Sequence, residues 1–477
     1  MKKVDVAIIG AGLAGIFAAY ELTSTHPDLD ILLLEQGEPI ASRQCPILQG
    51  KVSTCIHCKT CAVMRGFGGA GAFSDGKFNF TTEFGGWLTD YLPPEYVMEL
   101  IYDVDAVNQK FGATNRIYST DTPEGNAIRR RALSYDIHLL NAQCKHLGTE
   151  NNRQILMRLY DWLSDHVELS CKTSVSEIIP MKDGEPILHV NGIDPDGYEL
   201  ETSKGRVACD YLIAAPGRSG AEWFSNICRE LNLPLINNQV DLGVRVELPA
   251  IVFKDITDAM YEAKLKYMTR GYKDIVRTFC MNPYGYVVTE NTDGIITVNG
   301  HSYDDPALRS ENTNFALLVS NRFTEPFKEP YRYGKHVASL SNMLGGGVMV
   351  QRLGDLRDGR RTNDHRMSKS FVRPTLDATP GDLSLVLPKR HLDNIMEMLD
   401  VLDKLAPGTA NADTLLYGVE VKFYSARLKL TNEFETGLKN FFAIGDGAGI
   451  TRGLSQAGAS GMHAARSVAK RIRDNGV

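Results

Sequence analysis

The apolar positions at the start of the chain predict a strand, a helix and a second strand in quick succession. Val4–Gly10 is an apolar run that predicts a buried strand, Leu13–Thr23 predicts a helix, and Ile31–Glu35 predicts another buried strand. A strand–helix–strand unit that closes within so few residues places its two strands side by side and parallel. The chain therefore begins as an α/β fold with a parallel sheet.

The rest of the chain continues this pattern, then leaves it, then returns to it. Further elements are predicted as a mainly helical stretch over 86–145, a helix at Asn152–His166, and strands at Val167–Cys171, Val175–Pro180, Ile187–Val190 and Val207–Ala214. From about 240 the pattern becomes alternating strands (Val287–Thr289, Gly294–Asn299) and separate helices (Leu392–Leu405). We expect a discontinuous first domain over 1–85, 140–239 and 415–477, a mainly helical insertion over 86–139, and an interleaved α+β substrate or cap domain over 240–414.

A glycine-rich turn joins the first strand to the first helix. Gly10, Gly12 and Gly15 fit the pattern G-x-G-x-x-G, and Glu35 lies 20 residues beyond Gly15 at the end of the next strand. Gly10 permits the tight turn, Gly12 lets backbone amides approach a pyrophosphate at the helix N-terminus, and Gly15 allows close packing of helix on strand. Glu35 can accept hydrogen bonds from ribose hydroxyls. The combination predicts a Rossmann-like dinucleotide-binding domain.

A second strand-end signature lies near the end of the chain. Asn440–Gly447 is an apolar strand that ends in Gly445-Asp446, followed by a glycine loop and an Ala-rich helix that begins near Ser455–Ala457. A carboxylate at the carboxyl end of a strand is placed to bind a ribityl or ribose hydroxyl, and the helix start can face the N1/O2 edge of a reduced flavin. Two distant signatures on one sheet favour FAD over NAD, because FAD extends from adenine to flavin.

With these two signatures, the chain resembles the glutathione-reductase-like FAD superfamily and, within it, an uncharacterised family of FAD-dependent dehydrogenases. The resemblance spans nearly the whole chain and is carried by Gly66–Lys77, His146–Thr149, Phe279–Pro283, Val298–Gly300, Gln351–Asp355 and Tyr417–Glu420. It implies that the Gly66–Lys77 loop passes the flavin or its ribityl-pyrophosphate. Where the family pattern reads Cys-Met-Cys-Pro-Gly-Gly, this chain has Asn282 in place of the second cysteine, so no paired-thiol role for Cys280 is implied.

The motif positions and the resemblance together define a set of expected FAD contacts. These are Gly10, Gly12, Leu13, Ala14, Gly15, Glu35, Gly69, Ala70, Gly71, Val175, Gly217, Gly445, Asp446, Leu454 and Gln456.

Four cysteines crowd into one short segment. Cys45, Cys55, Cys58 and Cys61 are spaced so that two consecutive C-x2-C steps can turn three thiolates toward one centre, with Cys45-Pro46 supplying a fourth. An iron–sulfur cluster of the [4Fe-4S] type is the leading interpretation. Tetrahedral zinc, a redox thiol pair and unligated thiols are the alternatives.

Candidate catalytic groups flank the family motifs. His146, His301 and Tyr284 are the residues best suited to acid–base chemistry, since histidine titrates near neutral pH. Arg352 and Lys422 could hold an anionic substrate. For each of the five, a purely structural role remains the alternative.

Composition limits the classes of protein that this chain can be. Apolar residues make up 43% and charged residues 23%, and the net charge of −6 without a dense basic patch disfavours nucleic acid as the main partner. The apolar runs are too short to cross a membrane, and the first residues lead into a strand rather than a signal peptide. Nine cysteines, an odd number, argue against a disulfide framework. We expect a soluble cytoplasmic protein.

These observations predict an FAD-dependent oxidoreductase, a dehydrogenase or reductase, that acts on a small-molecule substrate. NAD(P)H is a candidate transient reductant, and a cysteine-ligated cluster would relay single electrons to a partner. Two other classes stay open: a regulatory flavoprotein that senses redox state, which would show no multiple turnover, and a flavin-dependent RNA-modifying enzyme, which needs a concentrated basic face.

Overall fold

The computed structural model describes residues 1–52, 56, 58–187, 192–236, 239–292, 294–303, 305–321, 330–422 and 425–474. The helices in this part of the chain are α1 Leu13–Thr25, α2 Pro94–Lys110, α3 Pro123–Leu133, α4 Thr149–Ser164, α5 Ala221–Glu230, α6 Lys254–Met260, α7 Pro330–Gly345, α8 Leu353–Arg357, α9 Asp364–Ser368, α10 Lys389–Leu405 and α11 Leu454–Asp474.

The strands are β1 Lys2–Ile9, β2 Ile31–Leu34, β3 Lys77–Phe80, β4 Tyr118–Ser119, β5 Ile137–Leu139, β6 Gln143–His146, β7 Glu168–Ser170, β8 Val175–Lys182, β9 Glu185–Pro186, β10 Gly197–Thr202, β11 Gly205–Ala214, β12 Leu235–Ile236, β13 Val240–Pro249, β14 Leu265–Met268, β15 Ile275–Asn282, β16 Tyr286–Thr292, β17 Ile295–His301, β18 Asn312–Asn321, β19 Met349–Arg352, β20 Thr379–Pro380, β21 Leu415–Lys422, β22 Arg427–Leu428 and β23 Phe441–Ala443. Of the predicted strand at 187–190, residues 188–190 lie outside the described residues.

The chain folds into two compact units. Unit 1 comprises Met1–Arg116, Cys144–Asn237 and Tyr424–Val477, and unit 2 comprises Ile117–Gln143 and Asn238–Phe423. Apart from boundary shifts of a few residues, this division differs from the expected domains in two places. The expected helical insertion over 86–139 is divided between the units, because α2 packs on α11 whereas β5 pairs with β14. Residues 415–422 form β21, which pairs with β13 and β19 and so belongs to unit 2.

Unit 1 is built on an eight-stranded sheet with the order β7-β2-β1-β11-β10-β8-β9, in which β23 pairs with the last residues of β11. Strands β7, β2, β1, β11 and β23 are parallel, and β10, β8 and β9 add antiparallel pairing at one side. The central parallel strands are apolar where they meet, since β2, β23, Val6–Ile9 of β1 and Tyr211–Ala214 of β11 are buried, as expected for a sheet covered on both faces. The predicted α/β class with a Rossmann-like parallel sheet is confirmed.

Unit 2 is built on a second eight-stranded sheet with the order β20-β19-β21-β13-β18-β15-β14-β5, and β16 and β17 form a separate hairpin. Its larger apolar cluster lies on one face of the sheet, where Leu242, Val244 and Val246 of β13 meet α10 and α7. A smaller apolar cluster includes Val350 and Tyr417, which are in register with Arg245. The alternate residues of β13 are Asp241, Gly243, Arg245 and Glu247, so the opposite face carries buried charges. Within the described residues, no helix has the length and apolar character needed to cross a membrane.

Candidate functional site

The turn between β1 and α1 contains two glycines that the surrounding protein requires. Gly10 has a φ of +99°, and a Cβ at this position would lie 2.2 Å from the carbonyl oxygen of Ala215. A Cβ on Gly15 would lie 2.0 Å from the carbonyl oxygen of Gly10. Packing of β1, α1 and the end of β11 therefore explains why both positions lack a side chain.

Gly12 differs from these two glycines. Its φ of −74° suits any residue, and a Cβ built there would meet no described atom within 4 Å. Gly12 is the N-cap of α1 and caps the helix without a side-chain hydrogen bond. The space beside Gly12 thus lies at a helix N-terminus, where backbone N–H groups and the helix dipole favour an anion.

Glu35 follows β2 directly and is 6% exposed. One carboxylate oxygen accepts a hydrogen bond from Ala11 N at 2.9 Å, and the other accepts from Gly37 N at 2.8 Å and Gly66 N at 2.9 Å. An ionised carboxylate has about four acceptor positions, so these three bonds leave capacity for a ribose hydroxyl. Glu35 also joins three loops, a role that its place in the motif does not indicate.

The glycine-rich loop lies against both nucleotide signatures of unit 1. Gly68 N donates to Ala11 O at 2.7 Å, and residues Gly69–Phe73 form a 3₁₀ helix. A Cβ on Gly69 would lie 3.1 Å from Gly12 Cα, and a Cβ on Gly71 would lie 3.1 Å from the Leu454 side chain. The loop therefore runs from the turn before α1 to the start of α11.

Two residues that sequence reasoning missed hold this loop in place. The guanidinium of Arg43, which is 1% exposed, donates to the carbonyl oxygens of Ala62, Val63, Gly66 and Phe67. Asn152 at the start of α4 donates to Gly71 O at 2.7 Å. Neither a lone arginine in a loop nor a polar residue near the start of a helix forms a pattern that predicts burial, so the sequence held no signal for either residue.

The second strand-end signature meets the end of β11. A Cβ on Gly445 would lie 3.0 Å from the Ala14 Cβ, and one on Gly447 would lie 2.6 Å from the carbonyl oxygen of Gly217. The carboxylate of Asp446 accepts from the Thr451 hydroxyl at 2.7 Å and is still 23% exposed. Asp446 therefore retains acceptor capacity at the carboxyl edge of the parallel strands.

The first turn of α11 contains buried polar atoms with no hydrogen-bond partner among the described residues. These are Ser455 Oγ and Gln456 Oε1, in side chains that are 4% and 3% exposed. Gln456 is oriented by its other amide atom, since Nε2 donates to Phe84 O at 3.1 Å. Buried polar atoms without partners are rare in proteins and fit a site that a polar ligand completes.

All fifteen residues that are predicted to contact FAD lie in unit 1, but they have different neighbours there. Gly12, Leu13, Gly69, Gly71 and Leu454 adjoin one another. Ala14 faces Gly445, and Gly217 faces Gly447. Val175 stands apart at the start of β8, two strands from β11 in the sheet order.

The candidate metal ligands are only partly described. Cys55, together with the nearby His57, lies outside the described residues. Cys45 and Cys61 are half-buried and Cys58 is exposed, and all three are free thiols. The described residues contain no group of three or more His, Cys, Asp or Glu side chains arranged to hold a metal ion. The metal centre therefore stays a prediction.

The three candidate catalytic residues fall in different units. In unit 1, His146 Nε2 lies 3.6 Å from an Asp75 carboxylate oxygen, and Lys77 Nζ lies 3.2 Å from the same oxygen. Burial raises the pKa of Asp75, but Lys77 and His146 outweigh burial and hold this pKa well below its usual range.

In unit 2, Tyr284 and His301 lie at the same end of the β16–β17 hairpin, where Tyr286 pairs with His301. Tyr284 has a φ of +51°, which is strained for a bulky residue. The rings of His301 and Tyr303 pack edge-to-face, with 4.5 Å between their centroids.

The two candidate substrate-binding bases are both in ion pairs. Arg352 bonds to Asp413 and lies 3.4 Å from Asp355, as part of a network on α8 and β19. Lys422 Nζ bonds to a Glu420 carboxylate oxygen at 2.8 Å.

Known proteins resemble the chain both in part and over most of its length. A family described as "FAD-dependent protein, C-terminal domain-like" matches residues 240–423, which is less than half of the chain. An uncharacterised protein from Clostridium beijerinckii is 27% identical, over 98% of this chain and 81% of that protein.

Solved structures overlap only loosely. Glycine oxidase from Geobacillus kaustophilus has a TM-score of 0.39 at 12% identity and covers 98% of this chain and 95% of its own. A probable FAD-dependent monooxygenase from Pseudomonas aeruginosa has a TM-score of 0.42 at 10% identity, over 99% of this chain and 88% of its own. At these TM-scores the overlaps carry no argument about function.

The family match confirms the resemblance to FAD-dependent proteins that the sequence indicates. It lies in unit 2, whereas the nucleotide-type turn and strand ends lie in unit 1. The chain is thus similar to FAD-dependent proteins, and the match and the fold together support an FAD-dependent oxidoreductase.

Proposed function

We propose that the chain is an FAD-dependent oxidoreductase of a small molecule, and that unit 1 holds the FAD. The observation that carries the proposal is the open space at Gly12. Gly10 and Gly15 are required by contacts within the protein, whereas neither the backbone angle of Gly12 nor any described neighbour requires glycine there. A ligand that approaches the backbone at the start of α1 supplies the missing reason, and a pyrophosphate suits that position.

The remaining polar groups of unit 1 fit the rest of the cofactor. Glu35 has acceptor capacity for the adenosine ribose, and Asp446 has acceptor capacity for the ribityl chain. Ser455 Oγ and Gln456 Oε1 are buried at the start of α11 without a partner in the described part of the chain, and they can bond to the polar edge of the flavin ring. Bound FAD supplies the electron-accepting chemistry, while these residues bind and orient it.

The substrate chemistry is proposed at a coarser level. His146, held beside Asp75, is a candidate proton donor or acceptor, as are Tyr284 and His301. NAD(P)H is a candidate reductant. An electron-transfer partner is proposed only if the cysteine segment carries an iron–sulfur centre.

The proposal is tested by substituting alanine at two glycines with different roles. Gly12→Ala puts a methyl group into open space, so the apoprotein should lose only about 1 kcal/mol or less, because alanine is a poorer N-cap than glycine. FAD affinity should fall at least tenfold, about 1.4 kcal/mol, since the methyl group occupies the position of the pyrophosphate. FAD binding is followed by quenching of flavin fluorescence and stability by urea unfolding.

Gly15→Ala is the matched control. Its Cβ would collide with the Gly10 carbonyl, so it should destabilise the apoprotein by about 2–3 kcal/mol. If Gly12→Ala binds FAD as tightly as the natural chain does, the assignment of the pyrophosphate is wrong. If the natural chain binds no FAD even after reconstitution, the proposed function fails altogether.

A metal centre at Cys45, Cys55, Cys58 and Cys61 stays a prediction from their spacing. Anaerobic purification, metal analysis and electron paramagnetic resonance after reduction distinguish its forms. Iron with a resonance that Cys58→Ser removes is the expected result, because the serine hydroxyl is a poor ligand for the cluster. Zinc without iron would leave a structural site, and free thiols without metal would contradict the prediction.

A further inference from the structure

The stretch Arg352–Arg373 of unit 2 is rich in positive charge, although the chain as a whole is acidic. It contains seven Lys or Arg residues against three Asp residues, whereas the whole chain has a net charge of −6. Four of the seven cations form ion pairs with carboxylates of unit 2, and these are Arg352, Arg357, Arg360 and Arg366. The other three form no ion pair with a described residue, and these are Arg361, Lys369 and Arg373.

Two of these three cations flank an exposed aromatic ring. Burial alternates along the segment that follows α9, because Ser370 and Val372 are buried whereas Lys369 and Arg373 are exposed. Phe371, between the two buried residues, is 58% exposed. The alternation indicates that the three exposed side chains project into solvent while the two between them point into unit 2. We call Lys369, Phe371 and Arg373 the exposed row.

Contacts with unit 2 hold the backbone of the exposed row in place. Phe371 N donates to a carboxylate oxygen of Asp413 at 3.3 Å, and Arg373 O accepts from Nδ2 of the buried Asn312 at 2.7 Å. Val372, which is 1% exposed, packs in the smaller apolar cluster of unit 2. Because this backbone is anchored, a ligand of the row need not order it, and that part of the entropic cost of binding is absent.

The acids near the exposed row do not pair with its cations. Asp413, the acid that anchors the row, is bonded to another arginine of the same stretch. Asp364 and Asp377 are the nearest acids along the chain on either side, and among the described residues neither forms an ion pair with Lys369 or Arg373. The ammonium, the guanidinium and the open ring between them therefore remain accessible to a ligand.

We propose that the exposed row binds single-stranded nucleic acid, with phosphates on Lys369 and Arg373 and a base stacked on the Phe371 ring. A single strand alternates one charged phosphate with one flat base, and the row alternates cation and ring in the same way. An acidic peptide brings charges without a ring at each residue, and an anionic bilayer would bury only one ring.

The exposure of all three side chains also suits a polymer that continues over the surface, because a small molecule is normally enclosed in a concave pocket. With only two unpaired cations in the row, the binding should be modest and should depend on salt. The row does not involve the flavin, so this proposal goes beyond the proposed function and does not depend on it.

The probe is a fluorescently labelled uridine oligomer of about 12 nucleotides, a length within the range that single-strand-binding folds cover. Its fluorescence anisotropy is followed with the full chain as purified, and the flavin content is recorded. We expect a Kd of about 10⁻⁴–10⁻⁶ M, as for binding that does not depend on sequence. A thymidine DNA oligomer of equal length should bind about as tightly, because phosphates and base faces are common to both. A duplex of equal length should bind more weakly, because its bases stack on each other and cannot reach the ring.

Variants of the ring and of the cations should have different effects. Phe371→Ala should weaken binding of the uridine oligomer about 5-fold or more, the effect of one lost base–aromatic stack, without changing the salt dependence. Leu385→Ala is its control, because it removes another exposed apolar side chain of unit 2, which is 66% exposed. These positions are on the surface, so both variants should fold.

Lys369→Gln and Arg373→Gln should each reduce the slope of log K against log salt by about 0.7, the contribution of one phosphate contact to a single strand. Lys404→Gln is the matched control, because it removes the same charge from an exposed position on α10. It should leave both the affinity and the slope unchanged.

The proposal is overturned if the natural chain does not bind the uridine oligomer at about 1 mM protein, well above the expected Kd. It is also overturned if Phe371→Ala binds as tightly as Leu385→Ala, or if the Lys369 and Arg373 variants keep the full salt slope. Tighter binding to the duplex, to polyglutamate or to phosphatidylserine vesicles would assign the row to a different partner. Oligomer bound by a chain that never takes up FAD would support this site while the proposed function fails.

Discussion

Each unit contains a buried arginine, and the two arginines differ in the groups to which they donate hydrogen bonds. In unit 1, the hydrogen bonds that Arg43 donates to described residues all go to backbone carbonyls of residues 62–67, within the segment that joins Cys61 to the glycine-rich loop. In unit 2, Arg245 has a fully buried carboxylate, Glu420, as its main partner. Carbonyl dipoles fix the course of a loop, whereas a carboxylate ties strands together and neutralises the charge.

The pKa values of the Arg43 and Arg245 guanidinium groups show the effect of these different partners. Burial is the main influence on Arg43 and lowers its pKa to about 10, although Glu35 acts in the opposite direction. Burial also lowers the pKa of Arg245, but Glu420 more than reverses this and the pKa lies above its ordinary value. The carbonyl set compensates only part of the desolvation of the charge. The comparison indicates that Arg43 holds a loop of unit 1 through hydrogen bonds, whereas Arg245 belongs to a charge pair that joins strands of unit 2.

The largest expected effect comes from breaking the charge pair. Glu420→Gln removes the carboxylate that Arg245 and Lys422 share and should destabilise unit 2 by about 3–5 kcal/mol. Urea unfolding gives the size of the loss, and hydrogen exchange should show it in β13, β15 and β21. Asp258→Asn, which removes an exposed partner of Lys254, should change stability by less than about 1 kcal/mol. Equal stability of the two variants would contradict the role of the pair.

A smaller and more local effect is expected at Arg43. Arg43→Met removes every donor to the carbonyls of residues 62–67 and should cost about 2–4 kcal/mol, since carbonyls that water does not reach lose their partners. Hydrogen exchange should rise mainly at 62–77, and FAD should bind more weakly because Gly69 and Gly71 are displaced. Arg206→Met, at a side chain that is 58% exposed, is the control. Unchanged exchange at 62–77 would show that the loop does not depend on Arg43.

The smallest expected effect is a pH dependence of unit 2. Burial chiefly lowers the pKa of His391 on α10 from 6.5 to about 4. Between these values the unfolded chain binds more protons than the folded one, so stability is fully present above pH 6.5 and falls as the pH drops toward 4. The loss attributable to His391 between pH 7 and 5 should be about 2 kcal/mol.

His391→Gln should remove that part of the pH dependence, whereas His336→Gln, at an exposed histidine of α7, should leave it in place. Urea unfolding at both pH values measures the difference. Parallel pH profiles for the natural chain and His391→Gln would show that another group carries the dependence.

Local sequence patterns were sufficient to predict β1, α1 and β2, the elements at which this class of fold binds a nucleotide. The structure has β1, α1 and β2 within about two residues of the predicted ends, because a buried parallel strand and a glycine turn are visible in any short window of sequence. Strand β10 and helix α5 were not predicted. The segment 86–139 is predicted as a mainly helical insertion, and beside α2 and α3 it contains β4 and β5, whose short pairings depend on strands outside the segment.

The sequence by itself determined the α/β class, the turn at Gly10–Gly15, the acid at Glu35 and the strand end at Asp446, because each depends on a spacing of a few residues. Only the tertiary structure decided that Gly12 faces open space while Gly10 and Gly15 are packed against backbone. It also decided that Arg43 and Arg245 are buried and that two cations share Glu420. Burial and charge pairing depend on residues that are far apart in the sequence, such as Arg245 and Glu420, which are separated by 175 positions, and no local pattern records such a contact.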